Sequence, residues 1–346
     1  MTSPVAPTWP DLLTALLRGE DLDYDQTAWA MGQVMEGLAQ PAQLAGFLVA
    51  LRAKGETVEE LQALADMMLA HARRIEVPGR SIDIVGTGGD RLNTVNISTM
   101  SSIVMAATGL RVVKHGNRAA SSKSGSADVL ESLGVNLTLS PERVAEVAQE
   151  AGITFCFANQ FHPSMRHAAE ARSALGIGTA FNALGPLTNP AQPTFAAIGV
   201  ADPRLVDLMA GVFASRGKDA VVFRGEEGLD EMSISGPSRL VWVHAGRTSE
   251  LRVSPEDLGL PRHPIEAIRG DDAAFNAQVA REVIAGTPSP ARDAVLLNAG
   301  TALALAAPQE GEAIERLRAG VARAAEAIDS GAAEQVLHRW VSATQR

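Results

Sequence analysis

The sequence predicts an α/β protein, with a small helical domain at the amino end and a larger domain built on a mainly parallel sheet. Three observations support this prediction. Residues 1–75 show helical periodicity only, apolar strands alternate with helices from Ser81 onward, and residues 165–190 turn helical before strands return. We therefore expect a helical domain of residues 1–75, joined in space by roughly 165–190, and an α/β domain of residues 76–164 and 191–346.

The amino-terminal domain is expected to consist of helices. Apolar residues at helical spacing place them at residues 11–17, 24–38, 41–54 and 57–74. Glycines at positions 19, 37 and 55 stand near the ends of the first three, where helices commonly stop. Thr57 followed by Glu60 has the spacing of a capping box and opens the last of them.

The rest of the chain alternates between strand and helix patterns. Strands are expected at residues 82–85, 110–114, 154–158, 195–200, 220–223 and 240–244. Helices are expected at residues 96–108, 127–133, 272–285 and 313–335, and a further helix begins at Pro141 behind the N-cap Ser140. Strands separated by helices usually lie parallel in one sheet, because each connection crosses back over the sheet.

Composition narrows the classes of function. The 346 residues include 30 Lys and Arg against 40 Asp and Glu, a formal net charge of −10, which disfavours binding to nucleic acid or to an anionic membrane. The single cysteine, Cys156, excludes an intramolecular disulfide and a Cys-rich metal site. No apolar stretch approaches the ~20 residues of a membrane span, and no leader pattern opens the chain, so we expect a cytoplasmic protein.

Two polar regions have the composition of phosphate-binding loops. Residues 86–90, Gly-Thr-Gly-Gly-Asp, follow the first strand, and Asn96, Ser98 and Thr99 stand at the start of an expected helix, where free N–H groups point outward. Residues 114–128 hold three cations, four serines and two glycines between a strand and a helix. Both lie at the carboxyl ends of strands, where α/β proteins bind ligands. The sequence therefore predicts a substrate with two separate phosphate groups.

Adjacent carboxylates provide a candidate metal site. Asp230 and Glu231 follow a strand, and carboxylate oxygens beside polyphosphate suit Mg²⁺, with Ser98 as a further oxygen donor. The chain has no HExxH, GxSxG, Walker A or GxGxxG pattern. Metalloprotease, esterase, P-loop and dinucleotide-binding functions therefore lack their residues.

Together these motifs resemble the anthranilate phosphoribosyltransferases. The resemblance runs from about Asp11 to the carboxyl end and is most specific in residues 114–126 and 182–190, the latter reading NALGPLTNP. It also includes residues 86–90, 96–99 and 162–165, Asp128, Arg172, Asp230 and Glu231. It implies a two-domain fold with the active site in the hinge cleft, and a homodimer formed through the helical domain. The implied reaction joins anthranilate and phosphoribosyl pyrophosphate, with Mg²⁺, in tryptophan biosynthesis.

The resemblance also implies site residues. Phosphoribosyl pyrophosphate is expected to contact Gly86, Gly89, Asp90, Thr94, Asn96, Ile97, Ser98, Thr99, Lys114, His115, Gly116, Asn117, Arg118, Ala119, Ala120, Ser121, Ser122 and Ser126. Anthranilate is expected to face Gly86, His115, Asn117, His162, Arg172 and Pro186. Ser98, Asp230 and Glu231 are expected to hold Mg²⁺, with two ions per protomer. No covalent nucleophile and no strong general base are assigned.

Several positions leave alternatives open. Gly178, Phe161 and Arg91 depart from residues common in this family, and they concern the outer wall of the anthranilate channel. His162 has an alternative interpretation as a packed core histidine, and Arg172 as half of a surface ion pair with Glu170. For the whole chain, the alternatives are a pyrimidine nucleoside phosphorylase and a nucleic-acid-binding relative without enzymatic activity. The first would lack NALGPLTNP, and the second would carry a basic face.

Overall fold

The computed structural model describes residues 7–119 and 123–346, and in these residues a seven-stranded sheet forms the centre of the molecule. The strands are β1 (Ser81–Gly86), β2 (Arg111–Gly116), β3 (Ile153–Phe157), β4 (Phe195–Gly199), β5 (Asp219–Gly225), β6 (Ser238–His244) and β7 (Arg247–Val253). Their order across the sheet is β3-β2-β1-β4-β5-β6-β7. The strands from β3 to β5 in this order pair in parallel, and β6 and β7 add antiparallel pairs at one edge. The predicted fold class is confirmed.

Helices surround the sheet and precede it. They are α1 (Trp9–Leu17), α2 (Tyr24–Met35), α3 (Pro41–Lys54), α4 (Val58–Ala70), α5 (Ile97–Ala107), α6 (Ser126–Ser132), α7 (Pro141–Ala151), α8 (Ala158–Phe161), α9 (Ala169–Leu175), α10 (Phe181–Leu187), α11 (Pro203–Ser215), α12 (Ala273–Ile284), α13 (Pro290–Ala306), α14 (Ala313–Asp329) and α15 (Ala332–Thr344). Short 3-10 helices cover Pro163–Ala168, Pro255–Leu258 and Ile265–Ile268. No helix in the described residues has the length and apolarity to cross a membrane.

Local capping explains why the first helices begin where they do. Thr57 and Glu60 form the predicted capping box of α4: each side chain accepts a hydrogen bond from the other residue's backbone N–H. Asp23 caps α2 in the same way with Gln26. Ser140 accepts from the N–H of Arg143 at the start of α7. These caps satisfy N–H groups that have no partner within their own helix.

The sheet separates two hydrophobic cores. One face carries Ile84 and packs with residues of α5 and α13 such as Val104 and Leu297. The other face carries Ile198 and belongs to a core that includes α11 and the four amino-terminal helices. Phe181 of α10 lies in this second core, so the segment after β3 packs against the helices at the start of the chain.

The structure corrects one predicted helix and adds elements that were not anticipated. The helix expected at residues 313–335 is two helices, because Gly331 adopts a left-handed φ of 75° between α14 and α15. α13 was not anticipated because it is buried on nearly all sides and its sequence shows no alternation between an apolar and a polar face. α11 and β7 were also missed; β7 is mostly exposed and carries no apolar alternation.

Candidate active site

The glycine loop after β1 is shaped by contact with Asp230. The N–H of Gly88 donates to Oδ2 of Asp230 at 2.6 Å, and Gly88 and Gly89 have positive φ angles of 71° and 87°. A Cβ at Gly86 would overlap the Asp230 carboxylate. The loop therefore needs glycine for close approach at Gly86 and for left-handed backbone at Gly88 and Gly89. Asp90 accepts from the N–H of Leu92 at 3.2 Å.

The start of α5 lies beside this loop, as predicted, but its residues have different tasks. The N–H of Ser98 donates to Oε1 of Glu231 at 3.2 Å. The amide of Asn96 is occupied, because it donates to the carbonyl of Ser124 at 3.3 Å and accepts from Asn276 at 2.8 Å. Ile97 and Thr99 are buried. Thr94 forms an isolated antiparallel backbone bridge with Arg269.

The loop after β2 is closed by Asp128. One carboxylate oxygen of Asp128 accepts from the N–H groups of Ala119 and Gly125 at 3.1 and 2.9 Å, and the other accepts from Arg118 at 2.9 Å. Arg118 also binds Glu131, so its guanidinium is already paired. A Cβ at Gly116 would overlap the hydroxyl of Ser126, which donates to the carbonyl of Asn117. Three residues of the predicted loop, Ala120, Ser121 and Ser122, lie outside the described residues.

Lys114 is buried between the strands instead of projecting into solvent. Lys114 is 1% exposed. Its Nζ donates to the carbonyl of Ile84 at 2.5 Å and to Oγ of Ser98 at 3.2 Å. Burial lowers the pKa of Lys114, while the charges of Asp83, Glu231 and Asp230 oppose that shift. The ammonium group thus links the sheet to the start of α5.

Asp230 and Glu231 form an acidic pair that contacts the glycine loop and the start of α5. Burial raises the pKa of Asp230, and the charge of Asp90 raises it further. Burial and the charge of Asp230 likewise raise the pKa of Glu231. One oxygen of Glu231, Oε2, is buried with no hydrogen-bond partner. A bound cation would relieve both the repulsion and the unpaired oxygen, so this pair fits a divalent metal ion.

A metal ion at this pair would need further ligands. In residues 7–119 and 123–346, no group of three or more His, Cys, Asp and Glu side chains is arranged to hold one. Mg²⁺ usually binds proteins through one or two carboxylates and completes its shell with water and substrate phosphate. The donor set suits this mode of binding.

The rings of His115 and His162 pack against each other. Their ring centroids are 5.1 Å apart. Burial lowers the pKa of His115 to about 3, with a contribution from His162, and burial lowers the pKa of His162 to about 4. Nδ1 of His115 lies 2.9 Å from the carbonyl of Gly185. A carbonyl only accepts, so Nδ1 carries the proton and Nε2 is left as a buried acceptor.

Two further predicted residues, Pro186 and Arg172, belong to the middle segment. Pro186 is buried in α10, directly after Gly185. Arg172 is exposed on α9, with its guanidinium carbon 5.9 Å from the Phe181 ring centre. No ion pair joins Arg172 to Glu170 or to another carboxylate in the described chain, so the ion-pair alternative has no support in the structure.

A cavity of about 270 Å³ separates the glycine loop from the helices. It is lined by Gly88 and Gly89 on one side and by Arg52 and Gly178 on the other. Of the other two departures, Phe161 is buried and Arg91 has a left-handed φ of 61° next to Asp90. Gly178 thus contributes open space to the wall of the cleft.

Two polar residues of this region were missed as site residues. Asp83 is 1% exposed in β1, and Asn189 is 3% exposed after α10. Their side chains are joined by a hydrogen bond of 2.8 Å. The signal was present for Asp83, because an acidic residue inside an otherwise apolar strand needs partners when it is buried.

Both parts of the chain match known protein families. Residues 79–334 match the glycosyl transferase family a/b domain, and residues 10–72 match the glycosyl transferase family helical bundle domain. The anthranilate phosphoribosyltransferase of Nocardioides sp. (strain ATCC BAA-499 / JS614) is 60% identical over 339 residues, covering 98% of this chain and 99% of that relative. The enzyme of the same name from Streptomyces griseus is 59% identical over 342 residues, 99% of this chain and 97% of that relative.

Solved structures give the same result. The anthranilate phosphoribosyltransferase of Thermus thermophilus superposes with a TM-score of 0.90 at 41% identity, covering 97% of this chain and 100% of that one. The Saccharomyces cerevisiae enzyme in complex with PRPP and Mg has a TM-score of 0.88 at 27% identity, covering 97% and 98% of the two chains. Its complex with 4-fluoroanthranilate has a TM-score of 0.86 at 25% identity, covering 98% and 99%.

Proposed function

Because the chain belongs to the anthranilate phosphoribosyltransferase family, we propose that it transfers the phosphoribosyl group of phosphoribosyl pyrophosphate to the amine of anthranilate. The products are N-(5-phosphoribosyl)anthranilate and pyrophosphate, a step of tryptophan biosynthesis. One observation carries the proposal. Asp230 accepts from the N–H of Gly88 and Glu231 from the N–H of Ser98, so the glycine loop and the start of α5, the two candidate phosphate-binding elements, meet at one acidic pair. The names of the relatives support this function and neither alternative.

The glycine loop and the start of α5 would bind the pyrophosphate. Free N–H groups of the loop, with the positive end of α5, favour an anion there. The Lys114 ammonium supplies a buried positive charge next to Ser98. These groups stabilise the negative charge that builds as the bond from C1 to the pyrophosphate oxygen breaks.

We propose Mg²⁺ as the cofactor, held by Asp230, Glu231 and Ser98, with two ions per protomer. When bound, it neutralises charge on the departing pyrophosphate. The structures of the Saccharomyces cerevisiae enzyme with PRPP and Mg support this assignment. The unpartnered oxygen of Glu231 supports it from this chain's own side.

The second substrate would lie between the middle segment and β2. Anthranilate has one carboxylate, which suits the planar guanidinium of Arg172. Its amine attacks C1 and loses a proton as the new C–N bond forms. His115 and His162 are both neutral at physiological pH because burial lowers each pKa to about 4 or below, so neither is a strong base. Nε2 of His115 can still accept a hydrogen bond from the amine.

The assembly and location of the protein are part of the proposal. We propose a homodimer formed by the helical domain of residues 1–75, joined by roughly 165–190, with the α/β domain comprising residues 76–164 and 191–346. Leu17 and Val49 support such a contact, because these apolar side chains are exposed on α1 and α3. A cytoplasmic location agrees with a biosynthetic enzyme. Size-exclusion chromatography with light scattering tests the dimer.

The direct test follows the loss of anthranilate fluorescence after mixing with phosphoribosyl pyrophosphate and Mg²⁺. We expect turnover with the wild-type chain, loss of turnover with chelator, and recovery when Mg²⁺ is restored. The double variant Asp230→Asn with Glu231→Gln should lower kcat by about a hundredfold or more, because it removes the charges that hold the cation. Binding of Mg²⁺, counted by calorimetry in the presence of phosphoribosyl pyrophosphate, tests the number of ions.

A matched control removes the same two charges elsewhere. Asp207 and Glu250 are exposed carboxylates that both pair with Arg239. Asp207→Asn with Glu250→Gln should turn over like the wild type. Full activity of the Asp230/Glu231 double variant at low Mg²⁺ would refute the metal assignment, and a wild-type chain that leaves anthranilate unchanged would refute the function.

A further inference from the structure

The backbone ladder between β1 and β2 stops after its first two registered pairs. These pairs join Ser81 with Arg111 and Ile82 with Val112, although both strands continue for four more residues. On its other side β1 stays paired with β4 as far as Gly86. β2 likewise stays paired with β3 as far as Gly116. The sheet therefore has an opening between β1 and β2, where backbone hydrogen bonds are missing, and this opening extends to the carboxyl ends of the two strands.

Side chains occupy the positions of the missing ladder bonds. In a continued parallel register, the N–H of His115 would donate to the carbonyl of Ile84, and the N–H of Ile84 to the carbonyl of Val113. Instead, the N–H of His115 donates to Oδ1 of Asp83 at 3.1 Å. The carbonyl of Ile84 accepts from Lys114 Nζ at 2.5 Å, and the carbonyl of Val113 accepts from Asn189 Nδ2 at 2.8 Å.

Asp83 is at the centre of this arrangement. Its Oδ2 accepts a second bond from Asn189 Nδ2 at 2.8 Å, so one amide spans both strands. Burial raises the pKa of Asp83 to about 6, while the charge of Lys114 and the bonds from Asn189, His115 and Ile84 oppose this shift. A carboxylate at 1% exposure is costly unless it is bonded in this way.

The opening determines where two neighbouring side chains go. Lys114 passes into it and reaches Ser98 at the start of α5. His115 is held by its backbone on Asp83 and by its ring on the carbonyl of Gly185. Asn189 lies four residues after Gly185, so the same middle segment contacts the opening twice. A closed ladder would remove the acceptor that Lys114 uses.

We propose that Asp83, together with Asn189, is a positioning residue for the transfer reaction. It keeps β1 and β2 apart so that Lys114 reaches the pyrophosphate loops and His115 faces the second substrate. This inference rests on the proposed function and adds to it two residues that touch neither substrate. A purely structural Asp83 would contribute to stability alone.

The test is Asp83→Asn. The substituted amide keeps the size of the side chain, but its NH₂ group must face either the N–H of His115 or the NH₂ of Asn189, and it carries no charge opposite Lys114. We expect the dissociation constant of phosphoribosyl pyrophosphate, measured by calorimetry without anthranilate, to rise about tenfold or more. The KM for anthranilate should rise as well, because His115 moves with Lys114.

Asp219→Asn is the matched control. Asp219 is the first residue of β5 and also accepts a backbone hydrogen bond, from the N–H of Ala245 at 3.2 Å. Its substitution should leave the dissociation constant and both KM values unchanged. Asn189→Ala provides a second variant if Asp83→Asn does not fold. Because both residues act through one contact, the double variant should lose little more than the more affected single variant.

Each outcome decides a different point. If Asp83→Asn or Asn189→Ala lowers only the melting temperature and binds both substrates like the wild type, the positioning role is wrong. Losses in the two single variants that multiply in the double variant would also overturn it. If the wild type itself shows no turnover, the proposed function fails and this inference fails with it.

Discussion

The two flanks of β1 are built in opposite ways. Toward β4 the backbone ladder runs through five registered pairs, from Ile82 with Phe195 to Gly86 with Gly199. Toward β2 it runs through two, and Asp83, Lys114 and Asn189 replace the rest. The closed flank, toward β4, ends in two glycines: Gly86 lies against the carboxylate of Asp230 and Gly199 against its backbone. On the open flank, toward β2, the three polar side chains take the place of backbone bonds.

The two flanks therefore depend on the amino-acid sequence in different ways. Backbone bonds on the closed flank form whatever the side chains are, so the requirement there is for space, which only glycine provides. Hydrogen bonds on the open flank exist only with particular side chains, and the same side chains lead to the candidate site. We therefore expect substitutions on the closed flank to cost stability, and substitutions on the open flank to cost binding.

The largest effect is expected from Gly199→Ala on the closed flank. A Cβ there would overlap the carbonyl of Asp230, so backbone must move. We expect the free energy of unfolding to fall by about 3 kcal/mol, measured by urea denaturation. Gly236→Ala is the control, since a Cβ at Gly236 meets no atom within 4 Å. A loss within about 0.5 kcal/mol for Gly199→Ala, the range of ordinary surface substitutions, would contradict the role of space.

Lys114→Met tests the open flank. It keeps most of the side-chain length but removes the charge beside Ser98, so phosphoribosyl pyrophosphate should bind about ten to a hundredfold more weakly, equivalent to ~1.4–2.8 kcal/mol. The KM for anthranilate should change less. Lys54→Met is a matched control, because Lys54 is also a buried lysine but pairs with Asp21 and Glu60 in the helices. Equal increases in both KM values for Lys114→Met would indicate a general disturbance of the loop.

Arg172→Ala tests a residue that belongs to neither flank. If its guanidinium binds the carboxylate of anthranilate, the KM for anthranilate should rise about ten to a hundredfold, or ~1.4–2.8 kcal/mol. The KM for phosphoribosyl pyrophosphate and the melting temperature should stay near the wild-type values. Arg166→Ala, an exposed arginine in the preceding turn, serves as the control. An anthranilate KM within about twofold of wild type would remove Arg172 from the site.

The smallest effect, counted per pH unit, concerns His162, which packs against His115 on the open flank. Burial lowers the pKa of His162 to about 4, so this histidine takes up a proton in the unfolded chain before it does so in the folded chain. Its contribution to stability is complete above about pH 6.5 and declines as the pH falls toward 4.

The measurement compares unfolding free energies of the wild type and His162→Asn between pH 7 and pH 4.5. Their difference should decrease as the pH falls below about 6.5, by at most about 1.4 kcal/mol per pH unit. His338→Asn is the control, because the side chain of His338 is 78% exposed. A constant difference for His162→Asn would mean that the histidine titrates normally in the folded protein.

Helices and strands with a clear cap or hydrophobic periodicity were predicted from the sequence. The helix expected at residues 41–54 is α3 (Pro41–Lys54), and the capping box at Thr57 is present. Elements without such a signal were missed or misread: α13 is apolar all round, β7 is polar, and the break at Gly331 depends on one left-handed residue. Hydrophobic periodicity arises when one face of an element is apolar and the other polar. Elements without this contrast cannot be predicted from it.

Much of the candidate site could also be predicted from sequence. The motif order identified the glycine loop, residues 114–128 and the acidic pair, because their chemistry lies in residue type and short spacing. The pattern did not show that the Arg118 guanidinium is paired with Asp128 and Glu131, or that the Asn96 amide binds Ser124 and Asn276. Those partners come from distant positions in the chain or from the folding of the loop.

The sequence by itself determined the fold class, the family and the kind of ligand, since caps, periodicity and loop composition are local properties. Only the tertiary structure decided which backbone groups meet. Asp83 and Asn189 are 106 positions apart, and no local pattern links the two. They come together because parallel strands bring remote segments to one edge, and a buried carboxylate must then find its partners among whatever the fold places beside it.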